Sequence, residues 1–145
     1  MTVMHNTIAR RHRGFTLVEA LVALLALSIG LLGVAALQMT GLRANLSSSW
    51  RSQATYLSYD ILDRMRANRN QRTNYATGLG AAPTPGGVAT LDLAAWKANL
   101  AAALPGGDGT VVLGPPDNTT ITVTVQWDDS RGAEGVLVFT TTSRI

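Results

Sequence analysis

Residues 15–37 read FTLVEALVALLALSIGLLGVAAL, an apolar run interrupted by a single charge, Glu19. From Ala20 to Leu42 there is no charged side chain at all. As a helix, that stretch spans roughly 35 Å, enough to cross a hydrocarbon core of about 30 Å. Arg10, Arg11 and Arg13 stand just upstream, and residues 1–14 contain no acid. Bases on that flank predict a single crossing with the N-terminus in the cytoplasm and the remaining chain on the far side. A cleavable secretory signal is the competing reading, with Gly33-Val34-Ala35 as its small pair. Such signals carry an apolar stretch of only about 7–15 residues. This run is longer, and Glu19 interrupts it near its start.

Glu19 admits two readings. Thr16 and Glu19 have the spacing of a capping box, which satisfies free amides at a helix start. Alternatively, the carboxylate needs a cationic partner, because a charge in a membrane helix is costly unless paired.

Working outward, composition removes several function classes. Of 145 residues, 46% are hydrophobic and 14% charged, against about 25% charged in an average soluble domain. The net charge of +3 comes from the first 14 residues, since residues 15–145 hold nine bases and nine acids. The basic pI is therefore no sign of nucleic-acid binding. There is no cysteine, which excludes disulfide scaffolds, zinc-thiolate sites and cysteine nucleophiles. The only histidines, His5 and His12, lie in the basic leader. Without that leader the chain has no histidine for acid–base work or metal ligation. These facts argue against an enzyme, and no cofactor or metal is expected.

The segment Arg11-His12-Arg13-Gly14-Phe15-Thr16-Leu17-Val18-Glu19-Ala20-Leu21 closely resembles the signal of type IV pilins and type II secretion pseudopilins. The resemblance implies cleavage between Gly14 and Phe15 by a prepilin peptidase and methylation of the new Phe15 amine. It implies that Glu19 pairs with the N-terminal amine of a neighbouring subunit. It divides the chain into a cleaved leader (1–14), a transmembrane and filament-core half-helix (15–37) and a periplasmic head that includes the second half of the helix (38–145). Many pilins have a proline in the apolar helix, where it partly unwinds. This run has none, so similar melting would rest on Gly30 and Gly33.

The helical signal continues past the apolar run. Met39, Leu42, Leu46, Trp50, Ala54, Leu57, Ile61 and Met65 recur at steps of three and four, which predicts one helix from Phe15 to Ala67. Asp60 with Arg64 and Asp63 with Arg66 add ion-pair spacing. The segment Asp63-Arg64-Met65-Arg66-Ala67-Asn68-Arg69 resembles the PilV-type minor pilins. That resemblance implies a structural subunit that helps initiate pilus assembly and sits at or near the filament tip, supporting adhesion and twitching. Its partners would be the peptidase, other minor pilins, the major pilin and inner-membrane lipid. A minor pseudopilin of type II secretion and a DNA-uptake pilin are the alternatives. Arg64, Arg66, Arg69 and Arg72 form a cluster that either offsets the helix dipole as solvated charge or meets a partner. They are too few, and lack the aromatic stripe, for nucleic acid.

The head predicts an α+β fold. Residues 73–90, rich in Gly, Ala, Pro and Thr, read as a loop. Leu91–Leu104 reads as a helix capped by Asp92 and ended by Pro105-Gly106-Gly107, with Leu93, Trp96, Leu100 and Leu104 as its core face. Strands are expected at Val111–Leu113, Thr119–Trp127 and Val136–Thr142. The middle one alternates cleanly, with Ile121, Val123, Val125 and Trp127 on one side. Together they make a small antiparallel sheet laid on the stripe from Leu46 to Met65. The acidic loop 128–135 lacks calcium-loop spacing and reads as a solvated hairpin loop.

Overall fold

The computed structural model describes residues 15–83, 85, 87–129 and 135–145. It is an α+β structure. A 51-residue helix, α1 (Leu17–Ala67), leads into a short 3₁₀ segment (Arg69–Tyr75). Helix α2 (Gly87–Ala103) and three strands follow: β1 (Asp108–Gly114), β2 (Thr120–Trp127) and β3 (Leu137–Arg144). The chain divides into two units at Leu42/Arg43.

In the first unit, α1 is apolar on every side. Its best 18-residue window has a mean hydropathy of 2.6, and none of that window is buried. Fifteen large apolar side chains between Phe15 and Leu42 are half or more exposed. Burying each is worth about 1.5–3 kcal/mol, tens of kcal/mol in total, which exceeds the stability of a typical domain. Such a surface calls for lipid or other helices around it.

The second unit has its own core. Ala54, Leu57, Ile61, Leu62 and Met65 of α1 pack with Leu93, Trp96 and Leu100 of α2 and with Val111, Ile121, Val123 and Val125 of the sheet. Ser58, also buried, is satisfied by donating to the Ala54 carbonyl at 2.8 Å. The buried stripe is thus wider and shorter than the sequence pattern implies. Met39, Leu42 and Leu46 remain exposed, and burial is complete only from Ala54 onward.

The sheet is antiparallel in the order β1-β2-β3. As the alternation predicts, Ile121, Val123, Val125 and Trp127 are buried. Three elements run further than expected: β1, α2 and β3, the last ending at Arg144 where Thr142 was expected. β1 extends from Asp108 to Gly114 because it pairs with β2 over Thr120–Gln126, and Gly109 is needed there. A Cβ at Gly109 would lie 2.5 Å from the Trp96 ring. Helix α2 begins at Gly87, inside the stretch expected to be loop. The 3₁₀ segment and a lone bridge from Thr77 to Val111 also order part of that stretch. With α2 starting earlier, Asp92 lies in its second turn and does not cap it.

The end of α2 is as expected. Gly106 has φ +60, and Gly107 lies against Leu100 with no room for a side chain. Trp96 is a core residue whose Nε1–H donates to the Leu57 carbonyl at 2.9 Å. Of the acidic loop, Ser130–Glu134 lie outside the described residues, while Asp129 accepts a hydrogen bond from Ser47 at 3.0 Å.

Candidate functional site

Two groups of residues carry the functional reading: the start of α1 and the arginine cluster at its other end. Gly14 lies outside the described residues. Phe15 is described and is 78% exposed. Thr16 caps α1, its Oγ1 accepting the Glu19 backbone N–H at 3.2 Å. Half of the capping box is therefore formed, and by threonine. The Glu19 side chain, the other half, is exposed and has no hydrogen bond or ion pair among the described residues. It sits one helical turn after Phe15. The helix is unbroken across Gly30 and Gly33, and a Cβ at either would meet nothing within 4 Å.

The four arginines do not form one surface. Arg64 is clamped inside the head. Its Nε pairs with Asp60 at 3.0 Å and one terminal nitrogen with Asp92 at 3.2 Å. Asp92 also accepts a 2.5 Å bond from the Tyr75 hydroxyl, which itself accepts one from Asn68. The result is a polar junction joining α1, the 3₁₀ segment and α2. Burial alone would weaken the Arg64 charge, but the two carboxylates outweigh it and hold the group above its ordinary value. Burial, then the bond to Asp92, raises the Tyr75 hydroxyl above 10.0.

Arg66 pairs with Asp63 and donates to Ser143 Oγ at 2.6 Å, tying α1 to β3. Arg72 donates to the Asp117 carbonyl at 3.1 Å, tying the 3₁₀ segment to the β1–β2 turn. Of these four arginines, only Arg69 has a side chain without a hydrogen bond or ion pair among the described residues.

Sequence reasoning missed Tyr75 and the structural use of Asp92. It also missed Asp108, which binds Gly80 N–H, Gly109 N–H and Lys97 and so fastens the 78–81 loop to β1 and α2. None of these has a local sequence signal, because Asp92 lies 17 residues from Tyr75 and 28 from Arg64, and Gly80 lies 28 from Asp108.

Residues 9–35 match the family described as Prokaryotic N-terminal methylation motif. Residues 36–91 match the family described as Type IV pilin Tt1218. The two regions abut and together span more than half of the chain. No curated protein and no solved structure matches it. A methylation motif at the start of an exposed apolar helix, followed directly by a pilin region that runs into a small α+β head, places this chain in the type IV pilin family.

Proposed function

We propose that the chain is a minor pilin of the PilV type. In this reading the prepilin peptidase cuts between Gly14 and Phe15 and methylates the Phe15 amine. Residues 15–37 hold the protein in the inner membrane with its N-terminus cytoplasmic and the head, 38–145, in the periplasm. The subunit then joins other minor pilins and the major pilin, helps initiate the filament, and sits at or near its tip in support of adhesion and twitching. Type IV pilins are structural proteins, and the proposal includes no catalysis.

The carrying observation is the Glu19 carboxylate, without a partner among the described residues, one turn beyond Phe15 at the start of an exposed apolar helix. An isolated carboxylate moved into a bundle of apolar helices costs several kcal/mol, and pairing removes much of that cost. Cleavage before Phe15 creates the required cation. Glu19 of one subunit then pairs with the amine of a neighbour, which fixes their register. The narrower assignment, to a PilV-type subunit, is supported by the segment Asp63–Arg69, within the matched pilin region. Of the cluster, Arg69 is the member free to meet a neighbouring subunit.

Intact mass and N-terminal sequencing of protein from membranes containing active peptidase test the processing. A chain starting at Phe15 with one added methyl is expected, and a chain starting near Ala36 overturns it. Affinity capture from the same membranes tests the machine. Recovery of pilus minor pilins is expected, while recovery of secretion pseudopilins alone refutes the pilus assignment.

A further inference from the structure

Helix α2 is apolar on both sides. Its inner side, with Ala89, Leu93, Trp96 and Leu100, is buried in the head core. Its outer side is open. Val88 and Leu91 are 60% and 72% exposed, and Ala95, Ala98 and Ala102 continue the same face at steps of three and four, all exposed. The two charges of the helix, Asp92 and Lys97, leave this face bare, because both pair within the head, with Arg64 and Asp108. A helix that is apolar all round is ordinarily buried all round.

A second open face lies on α1. Ser52, Tyr56 and Tyr59 follow at helical steps on the side away from the buried Ala54, Ile61 and Met65, and both tyrosines are more than half exposed. Aromatic rings offer large contact area at small entropic cost, and alanines facing them leave room for the rings. Each face lies on the far side of its helix from the shared core, so the two cannot meet within one chain. Contacts inside the head set their relative heights. Arg64 pairs with Asp92, and the Trp96 Nε1–H donates to the Leu57 carbonyl. Helix α2 therefore descends as α1 climbs. Two copies held in one membrane by their apolar helices point the same way and stand level. Ala95 and Ala98 of one copy then come level with Tyr59 and Tyr56 of the next, and Ala102 with Ser52.

We propose that α2 of one copy seats its outer face on the Tyr56–Tyr59 face of α1 in a second copy of the chain anchored in the same membrane. The contact joins two different faces, so it needs no twofold axis, keeps every α1 pointing the same way and can repeat from copy to copy. Sharing a membrane raises the effective concentration of the heads, so a seam of a few side chains suffices. The inference rests on the proposed anchoring for its orientation and on these two faces for its specificity.

The full-length chain in phospholipid vesicles tests it. Because the chain has no cysteine, Ser52→Cys and Ala102→Cys each place one thiol in the contact while sparing Tyr56, Tyr59 and Ala98. The two variants carry different tags and are oxidised together in one membrane. The disulfide joining position 52 of one chain to position 102 of the other is expected to exceed either like-with-like product. Ala98→Glu puts an unpaired charge into the seam and is expected to cut the mixed product at least about tenfold. Tyr56→Ser is expected to act in the same direction, and it stands as the readout if the glutamate variant does not fold. Flotation of the vesicles checks the anchoring separately. Floating chain that gives only like-with-like dimers, or none, overturns the inference and leaves the anchoring intact. So does a mixed product undiminished by both substitutions, since the apolar helices alone then bring the heads together. Chain that does not float overturns the anchoring and the inference with it. Ala98-dependent capture of a different pilin subunit, without the mixed product, assigns the face to another partner and also overturns it.

Discussion

At the scale of single residues, the decisive contrast is between two carboxylates on the same helix system. Glu19 is exposed and has no partner among the described residues, while Asp92 is held by Arg64 and Tyr75. Glu19 is therefore available for a partner in another subunit, and its charge can be tested without disturbing the fold. In Glu19→Gln, processing at Gly14–Phe15 is expected to proceed while incorporation into sheared filaments falls sharply. Immunoblots of the membrane and filament fractions check this, and filaments that take up the glutamine variant as well as wild type would rule out charge pairing. Asp92 is the opposite case. Tyr75→Phe leaves one carboxylate oxygen without its hydroxyl donor and is expected to cost about 1–3 kcal/mol. In a head of about 100 residues, each kcal/mol lowers Tm by roughly 4–8 °C. A thermal melt unchanged by the substitution would mean water replaces the hydroxyl without loss.

At the scale of elements, the contacts that hold the head together join distant pieces of chain. Asp108 opens β1 and binds the loop at Gly80 and Lys97 of α2. Burial works against its charge, but two backbone N–H donors and Lys97 prevail and lower its pKa below 3.8. A depressed carboxylate contributes stability above its unfolded value, and the contribution is lost as pH falls through the folded value. The head is thus expected to lose stability progressively below about pH 4, with a smaller loss over the same window in Asp108→Asn. Equal acid sensitivity in the two proteins would show that other carboxylates dominate. Gly109→Ala probes the neighbouring position. Its Cβ would lie 2.5 Å from the Trp96 ring, and overpacking of this kind typically costs about 1–3 kcal/mol, read as a drop in urea midpoint. These same elements mark what the sequence revealed. The 3.6-residue stripe announced α1, and strict alternation announced β2, because each pattern is local and strong. The start of β1 and the start of α2 stayed hidden because Asp108, Gly109 and Gly87 carry loop propensities that tertiary pairing overrides. Glu19 was legible because an isolated charge in an apolar run stands out. The Arg64–Asp92–Tyr75 junction was not, since folding alone brings its parts together.

For the whole molecule, the governing fact is the division at Leu42/Arg43. Among the described residues nothing buries the apolar surface of residues 15–42, whereas the core of the second unit is assembled from residues 54–127. Stability of the head should therefore not depend on the first unit. A fragment comprising residues 43–145 is expected to be soluble without detergent and to unfold in one cooperative transition, with a melting temperature close to that of the head in the full chain. The full chain is expected to need detergent or lipid. Near-ultraviolet circular dichroism is the sensitive measure, because Trp96 and Tyr75 are fully buried in the core and lose their fixed surroundings if packing fails. A fragment with helical far-ultraviolet signal but no near-ultraviolet signal would be a collapsed state without specific packing. That outcome would show that the turns of α1 before Arg43 are needed to hold Ala54, Leu57 and Ile61 in register against α2, and that the two units do not fold independently.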